Sequence, residues 1–389
     1  MRVFVAGIGV ISSLGAGVKA NFHKLLNMQH GLENKSTYID SSTDFNVGTV
    51  PLSNEELSAL FGINIKLSRT SLLSLYAVNE CLKNFSQTDC RLGFISGTTV
   101  GGMDKSEKFF KEYVPRSTGK VEDIIYHTCG SATTSIVPYL PAIDFVSTIN
   151  TACSSAANAI ITGARKIKQD ALDAVIAGGG DSLCRFTLNG FNSLMILDKE
   201  LCRPMDESRA GLNLGEGAGY LLLVSEKLLN EQGLTPLCEL KGYANTNDAF
   251  HATALSDTAE GPYLAIKQTL ESAAINPNEV DYINLHGTGT QNNDLAESTA
   301  ILKVFGENYP SLSSTKTFTG HTLGASGGIE AVFSVLAITE QKVFPNLNFK
   351  TPMETGIIPV LQTKEQSVKT VLSNSFGFGG NCSSLLFTQ

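Results

Sequence analysis

Hydrophobic positions along this chain follow two alternating patterns. Short β-branched and apolar runs, bounded by glycine and polar residues, predict strands over 3–10, 91–96, 143–149, 174–177, 219–224, 238–243, 282–286, 371–376 and 384–387. A weaker run at 357–361 contains Pro359, which would confine it to a sheet edge. Between these runs, apolar residues recur at helical spacing and predict helices over 18–26, 54–60, 71–83, 155–168, 263–274, 294–305 and 328–339. Strands and helices mixed in this way imply layered α/β architecture. The stretches 27–52, 109–131 and 181–214 carry neither pattern and are expected to form cap or interface excursions. A strand-turn-helix unit with small residues at its turn surrounds Cys153 and recurs from Thr319 to Gly328, which suggests an internal duplication.

A length of 389 residues fits two domains, or two halves of one large α/β unit. With 42% hydrophobic and 17% charged residues, a large buried core is expected. The net charge of −8, with no basic cluster, argues against a nucleic-acid surface. The apolar stretches are read as too short to cross a bilayer, which takes about 20 residues. The first strand begins without a charged leader, so no signal peptide is expected. Eight cysteines are scattered without a CxxC pair, which argues against structural zinc and against a disulfide framework. A reducing cytoplasm is therefore the expected setting, with no metal.

One cysteine stands apart. Cys153 lies in Thr151-Ala152-Cys153-Ser154-Ser155, between a strand run and a helical run of small residues. A thiol at a helix N-terminus meets the positive end of the helix dipole and unpaired N–H groups, which favour thiolate. That reads as a nucleophile; the alternative is a buried core cysteine. His286 ends a predicted strand in His286-Gly287-Thr288-Gly289-Thr290, aimed where ligands of open α/β sheets bind. His321, in Thr319-Gly320-His321-Thr322, sits at a second glycine-rich turn before a helix, and Lys316 precedes it closely enough to favour a neutral imidazole. A fourth turn, Phe376-Gly377-Phe378-Gly379-Gly380, can offer backbone N–H groups to an oxyanion and swing Phe378 as a gate. Glu216, among glycines before a strand, could orient catalytic groups from behind, although a structural loop held by an Arg209–Asp206 pair is the favoured reading there. The opening Gly7-Ile8-Gly9 lacks the rest of a dinucleotide fingerprint. A cysteine with one histidine and an Asn or Asp would suggest a hydrolase. Two neutral imidazoles beside a thiol suit an enolate formed when a carboxylate leaves a thioester as CO₂.

The ordered series of these motifs, with Ala177-Gly178-Gly179 and Leu214-Gly215-Glu216-Gly217, resembles the elongating β-ketoacyl-acyl-carrier-protein synthases over nearly the whole chain. The resemblance implies a thiolase-like five-layer αβαβα sandwich of two similar halves, here 1–230 with the nucleophile and 231–389 with both histidines and the glycine-rich loop. It implies Cys153 as the acylated nucleophile, His286 and His321 as malonyl and enolate ligands, Lys316 holding the electrostatics around His321, and Glu330 supporting from behind. The backbone N–H groups of Cys153 and Phe378 would form the oxyanion hole. Thr288 and Thr290 would contact pantetheine, and Val100 and Phe191 would line the acyl tunnel. No cofactor is implied. The implied partners are an acyl carrier protein and a second subunit, in a homodimer or a ketosynthase heterodimer. A basic patch including Lys105, Lys108 or Arg116 is expected near the entrance. The chain departs from the family by a shortening between Asn27 and Leu73, by Ser154-Ser155 after the nucleophile and by Asn381-Cys382 in the last loop. These features resemble ketosynthases of specialised pathways such as aryl polyenes. A thiolase using Cys382 as base, and a non-catalytic chain-length subunit, are the competing readings.

Overall fold

The computed structural model describes residues 1–34, 45–63, 67–86 and 89–389, so parts of the shortened 27–73 stretch lie outside the described residues. Ten strands carry the fold: β1 (Val3–Ser12), β2 (Leu92–Gly97), β3 (Phe145–Ile149), β4 (Ala174–Asp181), β5 (Gly217–Ser225), β6 (Cys238–Asn247), β7 (Tyr282–Asn284), β8 (Ser311–Ser313), β9 (Thr370–Phe376) and β10 (Asn381–Thr388). They run in the order β8-β7-β9-β10-β6-β1-β5-β4-β2-β3. The order repeats about its middle. β1 pairs antiparallel with β5, β5 antiparallel with β4, and β4, β2 and β3 run parallel. β6 pairs antiparallel with β10, β10 antiparallel with β9, and β9, β7 and β8 run parallel. The repeats join where β1 meets β6, with Phe4 opposite Glu239 and Val5 opposite Cys238. The twofold theme in the sequence is thus a repeated strand topology.

The principal helices are α1 (Arg69–Cys81), α2 (Met103–Arg116), α3 (Ser155–Lys168), α4 (Arg185–Ser193), α5 (Glu260–Ala273), α6 (Gln291–Phe305) and α7 (Ser326–Glu340). Alternation along the strands sends side chains to two different cores. Leu221 and Leu223 of β5 join Ile160, Ile167, Val332 and Phe333 in a central core between the repeats. Tyr220 and Leu222, their strand neighbours, pack outward on Leu72, Leu75 and Val78 of α1. In the second repeat, Leu385 and Phe387 of β10 face the central core, whereas Leu386 packs with Ile266 and Leu270 of α5 and Ile301 of α6. Helix, sheet, the α3–α7 pair, sheet and helix therefore stack as five layers. Gly7 and Gly9 belong to this packing: a Cβ at either would strike the carbonyls of Cys81 or Ala77 on α1. The segment Leu323–Glu340 is long and apolar enough to cross a membrane, contrary to the reading that no stretch is. It is 89% buried because α7 lies with α3 in the central layer, between the two sheets.

The elements differ from expectation in definable places. β7 stops at Asn284, so His286 lies past the strand, and 357–361 forms no strand. Charge and Pro115 hide α2 in a stretch read as irregular.

Candidate active site

The site is built where the two repeats meet. Each contributes a turn before a central helix: β3 leads through Cys153 into α3, and β8 leads through Lys316 and His321 into α7. Ala152, held at φ 53°, makes the first turn sharp enough to present the thiol. A cavity of about 390 Å³ opens there, lined by Cys153, His286, His321, Thr288, Phe191 and Phe378 among others.

Cys153 Sγ lies 3.1 Å from His321 Nε2. The His286 and His321 rings stand perpendicular with centroids 5.5 Å apart. Lys316 Nζ contacts His286 Nδ1 at 3.3 Å and is ion-paired with Glu330. The lysine touches His286 directly, and its charge also reaches His321, where it favours the neutral imidazole as expected. An ammonium can only donate, so Nδ1 of His286 accepts and its Nε2 carries the proton. His321 Nδ1 meets the Ser326 hydroxyl at 2.9 Å, which can donate or accept and so permits either tautomer.

Burial sets the protonation. It drives both imidazoles well below 6.5, reinforced in each by the Lys316 charge. It pushes the Cys153 thiol up to about 11, against the opposing pull of Lys316 and of the Phe378 and Cys153 backbone N–H groups. The thiolate expected from the helix terminus is thus outweighed by desolvation, and the resting group is a thiol. Those two N–H groups nevertheless converge on the sulfur. Burial raises Glu330 to about 7, opposed by its Lys316 partner.

Thr288 and Thr290 line the cavity with hydroxyls 2.9 Å apart. Phe191 and Phe378 stack at 5.7 Å. Val100 does not line the cavity; it packs behind it with Leu183, Leu188 and Leu212. Glu216 does not reach the catalytic groups. It forms a buried pair with Arg69 at 2.6 Å and accepts the N–H groups of Val50 and Leu183. Arg209 meets the backbone carbonyl of Asp206, while the Asp206 carboxylate holds Ser208, Lys350 and Thr351. Cys382 is buried in the outer core of the second repeat and does not line the cavity, so it cannot serve as a thiolase base. The expected basic entrance is not found among the cavity-lining residues, none of which is charged. Lys105 is buried and Lys108 pairs with Asp123 at 3.1 Å.

Three buried carboxylates escaped the sequence reading. Glu297 accepts the N–H groups of His286 and Gly287 at 2.8 and 2.7 Å, together with the Asn374 amide. Asp294, one turn earlier on α6, holds Thr288 and Gly289. Asp181, at the end of β4, holds the Thr98–Val100 turn and Gly324. The available signal was two acids three apart at the start of the helix that follows the His286 loop.

Comparison with known proteins agrees with this geometry. Residues 1–228 match the N-terminal domain of beta-ketoacyl synthases and residues 237–350 match the C-terminal domain. A 3-oxoacyl-[acyl-carrier-protein] synthase 2 from Staphylococcus aureus is 31% identical, covering 100% of this chain and 98% of that protein. The ishigamide ketosynthase/chain length factor superposes with a TM-score of 0.92 at 27% identity, over 100% of this chain and 99% of that one. A ketosynthase in complex with its chain length factor from Xenorhabdus doucetiae gives 0.85 at 32% identity, over 100% and 98%.

Proposed function

We infer the reaction from one premise: the chain belongs to the β-ketoacyl synthase family, whose thiolase-like fold it has. It is an acyltransferase of the 3-oxoacyl-[acyl-carrier-protein] synthase class. Our reading is that Cys153 takes an acyl group from an acyl carrier protein and that malonyl-acyl carrier protein then condenses with it, in fatty acid or specialised polyketide synthesis. The observation that carries it is one cavity holding a thiol 3.1 Å from an imidazole, with a second imidazole perpendicular to the first.

In the first step the Cys153 thiol gives its proton to His321 Nε2 as sulfur attacks the thioester carbonyl. The oxyanion takes the N–H groups of Cys153 and Phe378. The carrier's C–S bond breaks, and its thiol leaves with the proton held by His321. In the second step the malonyl carboxylate departs as CO₂, and the electrons of that C–C bond form an enolate. The enolate oxygen accepts Nε2–H of His286 and, once the remaining ring proton of His321 has moved from Nδ1 to Nε2, a tautomer that the Ser326 hydroxyl permits, Nε2–H of His321 as well. Its carbon attacks the acyl-Cys153 carbonyl, forming the new C–C bond, and Cys153 leaves and regains a proton from solvent. Lys316 orients His286, and Glu330 holds Lys316. Thr288 and Thr290 offer hydroxyls to the pantetheine arm. Val100 limits the acyl group from behind Phe191.

The same reading assigns 1–230 to the half that carries the nucleophile and 231–389 to the half that carries both imidazoles, and it sets the protein in the cytoplasm. A second subunit completes the assembly, as a homodimer or with a chain-length partner. Separating the half-reactions tests it: Cys153→Ala should lose acyl transfer while still decarboxylating malonyl-acyl carrier protein. Acylation of the variant at another residue would end the proposal.

A further inference from the structure

The loop that carries Phe378 is held at Gly379, whose carbonyl accepts from Asn247 Nδ2 at 3.1 Å and whose N–H donates to the Ala252 carbonyl at 2.8 Å, and at its far end by the side chain of Asn381. Asn381 Oδ1 lies 2.7 Å from Ser154 Oγ, 2.8 Å from Asn158 Nδ2 and 2.8 Å from Asn245 Nδ2. The three donors come from different places: Ser154 follows the nucleophile, Asn158 is in the first turn of α3, and Asn245 is on β6. The Asn381 backbone also closes the loop, because its carbonyl accepts the Gly377 N–H at 2.8 Å. The loop then presses on the turn that presents Cys153. A Cβ on Gly377 would stand 2.8 Å from the Thr151 carbonyl oxygen and 3.2 Å from the Cys153 nitrogen.

The donors are not equivalent. An amide oxygen has two lone pairs. Asn158 and Asn245 each spend one N–H on it and the other elsewhere, on Thr151 Oγ1 at 2.8 Å and Ser383 Oγ at 2.9 Å. Ser154 has one proton and two acceptors at the same 2.7 Å, Asn381 Oδ1 and the Thr151 carbonyl. If the loop lifts, Ser154 turns to Thr151 and loses nothing, whereas both amides lose a partner.

We propose that Asn381 is a positioning residue for acyl transfer, a clasp that fixes the Phe378 N–H relative to the Cys153 N–H and keeps the oxyanion hole assembled. The proposal rests on the condensing-enzyme reading above. It separates the two half-reactions: acylation needs the paired N–H groups, whereas decarboxylation draws on His286 and His321, which the clasp does not touch.

The test uses the full-length protein. Mass gain on Cys153 from an acyl-carrier protein is timed by intact mass spectrometry, and CO₂ release from malonyl-acyl carrier protein is timed separately. Asn381→Leu keeps the volume and removes the acceptor. It is expected to slow acylation about ten-fold or more and to leave CO₂ release within about two-fold. Asn381→Asp keeps an oxygen for both amides and should acylate within about three-fold of the unsubstituted protein. Should the Leu variant not fold, Asn245→Ala removes one donor from an exposed position and is expected to slow acylation alone, by about three-fold. Unchanged acylation in the Leu variant, an equal fall of both half-reactions, or an Asp variant as slow as Leu would overturn the clasp; so would an unchanged Asn245→Ala if that variant is the one measured. An unsubstituted protein that performs neither half-reaction contradicts the condensing-enzyme reading instead.

Discussion

A thiol pushed up to about 11 and two imidazoles held well below 6.5 enter the reaction uncharged, because the cavity solvates no ion well. His321 must be neutral to take the Cys153 proton. Its lowered value means that acylation should hold steady from pH 7.5 to 6 and fall only below that; an acid limb centred on 6.5 in the acylation rate would contradict the buried geometry. The same shift has a sign for stability. Near pH 6.5 the unfolded histidines take up protons that the folded ones refuse, so stability is fully present above that value and falls as pH drops below it. Unfolding midpoints of a His286→Asn, His321→Asn variant should therefore depend less on pH between 7 and 5.5 than those of the unsubstituted protein. His286 does not touch the sulfur, so His286→Ala is expected to cut decarboxylation by about 10²–10³ and to leave acyl gain on Cys153 nearly intact. Equal loss of both would show that the two imidazoles do not divide the work. The histidines and the cysteine were visible in the sequence because glycine and threonine at strand ends have little use in a core. Glu297 and Asp181 were not, because their role depends on which backbone N–H groups the fold brings beneath them.

At the level of elements, α6 holds the His286 loop from below. Glu297 satisfies two buried backbone N–H groups and one amide. Glu297→Ala leaves them without a partner, at about 1–3 kcal/mol per buried donor. Urea unfolding should register a loss of about 3 kcal/mol, and a loss under about 1 kcal/mol would mean that the loop finds other partners. The sequence pattern located most strands and helices because β5 and β10 are buried on both faces, so that 221–224 and 385–387 stand out as apolar runs, and because α3 and α7 turn apolar residues to the central core. It ended β4 at Ala177, although the strand runs on to Asp181. The glycines there suggested a turn, yet Gly178 and Gly179 are strand residues packed against Gly219 and Gly97, where a side chain would not fit. It missed β8, a three-residue strand whose pairing with β7 is set by the sheet and not by its own composition.

For the whole molecule, the repeated topology leaves β3 at one end of the continuous sheet, with β2 alone beside it among the described residues. Its Val146 is exposed, as are Tyr113, Val114, Val121 and Ile125 on the excursion between β2 and β3. An open strand edge with apolar neighbours favours pairing with another chain. Light scattering should therefore give twice the chain mass, or a one-to-one complex when a chain-length partner is co-expressed. Val146→Lys should yield monomer, and a monomeric unsubstituted protein would contradict the expectation. The pairing of halves was partly legible, since the turns at Cys153 and His321 looked alike, but their meeting in one cavity depends on the β1–β6 junction, which no local pattern announces.

The most direct test charges the purified protein with an acyl-carrier protein, maps the adduct by peptide mass spectrometry, and then adds malonyl-acyl carrier protein. The account predicts an acyl group on Cys153 that is discharged, with CO₂, as a 3-oxoacyl product lengthened by two carbons. An adduct on another residue, or an acyl-Cys153 that malonyl-acyl carrier protein leaves in place, would contradict it.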